Sequence, residues 1–206
     1  MGIDLISFNA LDMAGPTELA WTNWRPLAED LHAAVDDQGN TQECARRSVA
    51  KGIQECLHHK GFDGNQDEIS QTLVEHFPHL RSSGINTNRF HNQEITIAAK
   101  DQVSTEVKML KVKITVETVE RPSGDIPFAT HQQYNRILED KNSCLVLRWC
   151  LSAGLHAIYA KSYNPETREF HCLNSWGAYK EKPVLCEKDV QRVYRVKFNA
   201  DAIKNA

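Results

Sequence analysis

Residues 44–59 read CARRSVAKGIQECLHH, with Ala45, Val49, Ile53 and Leu57 recurring at every fourth position and charged residues filling the other face. That spacing is the stripe of an amphipathic helix running from about 44 to 59, and Gly61 just beyond it is a C-terminal stop. Cys44 stands at the helix start, in the positive end of the macrodipole, where a thiolate is favoured. No other cysteine in the chain is so placed.

Upstream, residues 1 to about 40 have weak periodicity and are punctuated by Pro16, Pro26 and Gly39, which predicts extended or looped chain. Downstream, Ile69, Leu73 and Phe77 share a face over Asp67–Phe77, a second helix that Pro78 ends, followed by a polar loop with Ser82, Ser83 and Gly84. The pattern then changes. Leu110, Val112, Ile114 and Val116 alternate with Lys111, Lys113, Thr115 and Glu117, the period-two signature of a half-buried strand. A short helix over His131–Asp140 precedes strands at Cys144–Leu151, Leu155–Tyr163, Glu169–Asn174 and Val193–Phe198. The expected fold class is therefore α+β, with a helical N-terminal part (1–108) and a β-rich C-terminal part (109–206), and no internal repeat.

The 206 residues suffice for one good core or two small lobes, and 41% apolar with 25% charged residues is an ordinary globular composition. The net charge of −3 is evenly mixed, and no run of five Lys/Arg residues suggests nucleic acid or an anionic membrane as partner. No stretch approaches the ~20 apolar residues of a membrane span, so no membrane insertion is expected. The N-terminal apolar run is broken at Asn9, Asp12 and Gly15 before a signal-peptide core forms, so either the chain is intracellular or a leader has been removed, and Ile6 stands where myristoylation needs Ser or Thr. The six cysteines form no C-x-x-C pair and no zinc-spaced Cys/His cluster, so no metal site is expected, and free thiols are the default.

A nucleophilic thiolate needs an imidazole within hydrogen-bond reach and a third group that orients the imidazole. His156 and Asn174 meet that need. They flank a hairpin whose turn carries Asn164 and Pro165, and a register centred on Pro165 would set the two side chains opposite each other. Asn accepts from an imidazole N–H while staying neutral, which leaves the thiol and imidazole free to share a proton. The other histidines have no comparable partner; His58 and His59 read as a solvated helix end. Cys56 lies on the apolar helix face, while Cys144, Cys150 and Cys172 lie in strands, where a small buried hydrophobe is the simpler role. Cys186 is left unassigned.

These residues sit in recognisable strings. Asp37-Gln38-Gly39-Asn40-Thr41-Gln42-Glu43-Cys44-Ala45, with Ser48 beyond, resembles the D-Q-G-x-C-G-x-C-W-A-F-S segment of the papain/cathepsin cysteine proteases. Trp24-Arg25 resembles that family's D-W-R, and Ile69-Ser70-Gln71-Thr72-Leu73-Val74-Glu75 its L-S-E-Q-E-L-V-D. His156-Ala157-Ile158 and Asn174-Ser175-Trp176-Gly177 resemble its H-A-V and N-S-W-G, in the family's order.

The resemblance implies a two-lobed papain-like fold, with a helical lobe carrying the cysteine, an antiparallel β-barrel-like lobe carrying His and Asn, and a cleft between them. It implies a thiol hydrolase that cleaves peptide or isopeptide bonds in a protein or peptide substrate through a Cys-His-Asn acyl-enzyme, with no cofactor. Cys44 would attack, His156 shuttle the proton and Asn174 orient it. Gln38 would complete the oxyanion hole with the Cys44 amide, an arrangement whose loss costs roughly 3 kcal/mol of transition-state stabilisation. Trp176 would shield the His–Asn bond. The same constellation serves an acyltransferase, a deamidase or a deubiquitinase-like enzyme, and a catalytically silent papain-like binding domain is the reading from a different class.

There are departures from the pattern. Thr41 replaces a disulfide cysteine and the G-C-x-G-G segment is missing after Glu75, which points to a cytoplasmic or otherwise reducing compartment, or to delivery into another cell without a conventional leader. Gln42 and Glu43 replace small residues, Ala45 replaces a tryptophan, and the spacing between Cys44 and His156 is shorter than the family's. A Glu43 carboxylate turned inward would oppose a thiolate.

Overall fold

The computed structural model describes residues 43–81, 85, 87, 90, 93–119, 128–151, 154–175 and 184–199. Among the described residues three α-helices, α1 (Cys44–His58), α2 (Gln66–His76) and α3 (Phe128–Glu139), accompany eight strands: β1 (Phe62–Gly64), β2 (Gln93–Asp101), β3 (Val107–Val119), β4 (Ser143–Leu151), β5 (Gly154–Asn164), β6 (Glu169–Leu173), β7 (Val184–Cys186) and β8 (Val190–Asn199). The strands form one curled antiparallel half-barrel in the order β1-β2-β3-β8-β4-β5-β6-β7. Residue 108 falls inside β3, and strands on either side of it share this sheet.

Both faces of the sheet's centre are covered. Cys144, Val146, Ala157, Tyr159, Val196 and Phe198 pack with Ala45, Val49 and Ile53 of α1, while Leu145, Leu147, Ile158 and Val193 pack with Tyr134, Ile137 and Leu138 of α3. That is why β4 reads as an unbroken apolar run: neighbouring side chains enter different cores. Each large aliphatic side chain so buried contributes about 1.5–3 kcal/mol.

α1 follows its predicted span, and Gly61 closes it in the left-handed region at φ 87°, where a side chain would be strained. Its charged face is not left to solvent. Lys51 and Glu55 are fully buried, and Gln54 is buried with them, donating to the Gly64 carbonyl of β1 and accepting from Gln66 of α2. Lys51 Nζ lies 3.8 Å from Glu55 Oε1 and donates to Gln54 Oε1 at 3.2 Å, and Tyr159 of β5 donates its hydroxyl to Glu55. His58 is likewise engaged, its Nδ1 2.9 Å from Asp63 Oδ1.

α2 starts one residue early and is capped by Asn65, whose Oδ1 accepts from the Glu68 amide at 3.1 Å. β2 was not expected, although Ile95, Ile97 and Ala99 turn inward in strict alternation. It pairs along its length with β3.

The β5–β6 register differs from a turn centred on Pro165. Asn164 pairs with Glu169 and Tyr163 with Phe170, so the loop is 165–168. Asn164 Oδ1 accepts from the Glu166 and Thr167 amides at 2.9 and 3.3 Å, and Arg168 takes the left-handed φ of 57°. This side-chain turn consumes more chain than a two-residue turn and moves the hairpin's axis towards the C-terminus.

Candidate active site

Cys44 is half-buried as the first residue of α1. The Glu43 carbonyl accepts from the Arg47 amide at 2.9 Å, and the amides of the first turn, Cys44's included, have no acceptor within the helix. The Glu43 carboxylate pairs with Arg46 and lies 3.6 Å from Arg47 Nε. Its charge is thus answered by two guanidinium groups beside it. Arg47 also pairs with Asp67 at the start of α2, tying the two helix starts together.

Gly52 sets how closely α1 approaches the sheet. A Cβ there would fall 2.2 Å from Cys144 Sγ and 3.1 Å from Cys144 Cβ, both on β4. Only glycine admits this separation, and the sulfur of Cys44 is carried on the helix it fixes.

His156 lies near the start of β5 and is 4% exposed. Its Nε2 is 2.8 Å from Asn174 Oδ1; an amide oxygen only accepts, so Nε2 carries the hydrogen and Nδ1 is the nitrogen left for another partner. The two residues are not directly opposite. Tyr159 pairs with Leu173, so continuing the ladder makes Asn174 a diagonal neighbour of His156 on the same face, a separation that an imidazole and an amide can span. Register shifts between Ala160 and Ser162 on β5 and at Arg148/Trp149 on β4 flank the histidine, and such bulges re-aim side chains.

Cys44 meets the same strand from the helix side. The amide of Ala157, directly after His156, donates to Cys44 Sγ at 3.4 Å, so the thiol is bonded to the peptide unit that His156 itself forms. Cys44 Sγ is thus held at the backbone directly after His156, and the His156 ring is held by Asn174. Gln38 and Trp176, the expected oxyanion donor and shield, lie outside the described residues.

Sequence reasoning passed over Trp149. It is the cross-strand partner of His156, with ring centroids 6.4 Å apart and the rings edge to face. The signal was available: Trp149 and His156 sit at matching distances either side of a short β4–β5 connection. It walls the imidazole from the β4 side.

The remaining described thiols are packing residues or peripheral. Cys56, Cys144 and Cys172 are buried, and burial pushes the Cys172 thiol well above the ordinary thiol range. Cys186 is half-buried at the end of β7. Among the described residues no group of three or more His, Cys, Asp or Glu could hold a metal ion, and no helix is long and apolar enough to cross a membrane. An open cleft of about 580 Å³ between β3, α3 and β8 is lined by Glu117, Gln133, Arg136 and Arg195 and by none of Cys44, His156 and Asn174.

No family model and no curated protein matches the chain.

Proposed function

We propose that this chain is a papain-like thiol hydrolase that cleaves peptide or isopeptide bonds, with α1 on one side of a substrate cleft and the β5–β6 hairpin on the other. The observation that carries the proposal is the His156 ring held at Nε2 by Asn174 while the next amide is bonded to the Cys44 sulfur. A core histidine would be satisfied by any acceptor, and a core cysteine would not need a helix N-terminus beside an oriented imidazole.

In the proposed reaction Nδ1 of His156 takes the Cys44 proton and the thiolate attacks the scissile carbonyl. The tetrahedral oxyanion accepts from the Cys44 amide and from Gln38. The imidazolium returns its proton to the leaving amine, and water activated by His156 then resolves the thioester and frees Cys44. Asn174 stays neutral throughout and keeps the ring from rotating.

The test is incubation with a fluorogenic peptide pool and an isopeptide-linked ubiquitin-type substrate, with intact-mass detection of a thioester adduct. The proposal expects cleavage, an adduct on Cys44, and loss of both in Cys44→Ala. Turnover raised by added amines at the expense of hydrolysis would assign an acyltransferase instead. Cleavage that survives Cys44→Ala would exclude the mechanism.

A further inference from the structure

β6 pairs with β5 only as far as Tyr159, opposite Leu173, so Ala157 lies on a part of β5 that β6 no longer covers. A buried strand residue whose neighbour has ended still has an N–H and a C=O to satisfy. Both of Ala157's are met by side chains of α1. The amide donates to Cys44 Sγ at 3.4 Å, and the carbonyl accepts from Ser48 Oγ at 3.2 Å. Cys44 and Ser48 are four residues apart, hence stacked on one helix face.

We infer that Ser48 is a positioning residue of the thiol–imidazole pair: with Cys44 it grips both polar groups of the residue after His156 and so registers α1 against β5. The inference rests on the catalytic reading proposed above. One contact at the sulfur fixes a distance and leaves the helix free to pivot; a second, one turn further along, fixes the angle as well. Sulfur is a weak acceptor, so the hydroxyl–carbonyl bond is the stronger of the two.

Ser48 is fully buried, and its hydroxyl reaches across to the strand rather than only back to its own helix. Ser70 of α2 supplies the contrast. It is 1% exposed, yet its hydroxyl has no hydrogen-bond partner among the described residues. Burial alone therefore does not account for the link made by Ser48.

The experiment measures the second-order rate of Cys44 alkylation by iodoacetamide from pH 5 to 10, mapped by mass spectrometry, alongside denaturant unfolding. The proteins are wild type, Ser48→Ala, Ser70→Ala and His156→Ala. Ser48→Ala is expected to slow alkylation at neutral pH by about 10- to 100-fold, the scale of a 1 Å misplacement, and to move its pH profile towards that of His156→Ala. Ser70→Ala should keep the wild-type profile. Should Ser48→Ala fail to fold, Ser48→Cys, near-isosteric but a poor donor, carries the same expectation at Cys44. Wild-type rates in the Ser48 variant beside slowed His156→Ala would overturn the inference and leave the catalytic pair standing. Wild-type rates in His156→Ala would overturn both.

Discussion

Replacing Gly52 with alanine should be destabilising, against the usual sign for a helix. In an open helix the change gains about 1 kcal/mol of propensity. Here the new Cβ would sit 2.2 Å from Cys144 Sγ and 3.1 Å from Cys144 Cβ, and the atom it strikes hardest is on a short, fully buried side chain rooted in β4. Relief requires α1 to lift by more than 1 Å, and overpacking of this kind costs about 1–3 kcal/mol. Set against the propensity gain, the net loss is on the order of 1 kcal/mol, together with a displaced Cys44. Urea unfolding of wild type, Gly52→Ala, Cys144→Ala and the double variant forms a mutant cycle. Removing Cys144 Sγ leaves the 3.1 Å contact with Cys144 Cβ and an ordinary 3.7 Å contact with Tyr159, so the double variant should recover most of the penalty, with a favourable coupling of about 1 kcal/mol or more. A stabilised Gly52→Ala, or additive changes, would refute the account of how α1 is seated.

Tyr159→Phe removes the hydroxyl that Glu55 accepts from in a buried site, and should cost about 1.5–3 kcal/mol in the same unfolding assay, as expected for a hydrogen bond to a charged group; a loss below 0.5 kcal/mol would show the bond is not made. Burial and the Glu187 carboxylate, 2.9 Å from the Tyr163 hydroxyl, push that phenol above its ordinary 10.0. The folded state then retains a proton that the unfolded chain releases, so this stabilisation is whole below about pH 10 and drains away above it; Tyr163→Phe should flatten the alkaline fall in urea midpoint, and an unchanged slope would count against the assignment. Asn174→Ala frees the His156 ring and should lower kcat roughly 10-fold or more with KM little altered; an unchanged kcat would remove Asn174 from the mechanism.

The helices and strands β3, β4, β5, β6 and β8 were legible from periodicity or from an apolar run, whereas the three-residue strands β1 and β7 are too short to carry either. Ala45, Val49, Ile53 and Leu57 mark α1, and the apolar run from Cys144 to Leu147 marks β4. β2 was equally legible in Ile95, Ile97 and Ala99 and was overlooked. Other features could not be read from pattern. Periodicity separates the apolar from the polar face of α1 without saying what lies against the polar one, so the burial of Lys51, Gln54 and Glu55 depends on where β5, β1 and α2 come to rest.

The spacing of His156 and Asn174 picked out two residues that do hydrogen-bond, but in another register. The turn at Asn164 is closed by its own side chain, and the two residues meet diagonally rather than face to face. Ser48 stands in a recognisable segment and Trp149 at a matching distance from His156, but the contacts that give them their places, helix to strand and strand to strand, are tertiary.

The most direct test of the central claim is the alkylation rate of Cys44 by a small neutral thiol reagent as a function of pH, in wild type and in His156→Ala. A Cys44 that shares its proton with His156 reacts rapidly at pH 6 and loses that reactivity when the imidazole is removed. A Cys44 that reacts only in the alkaline range of an ordinary thiol, with the same profile in both proteins, would contradict the account.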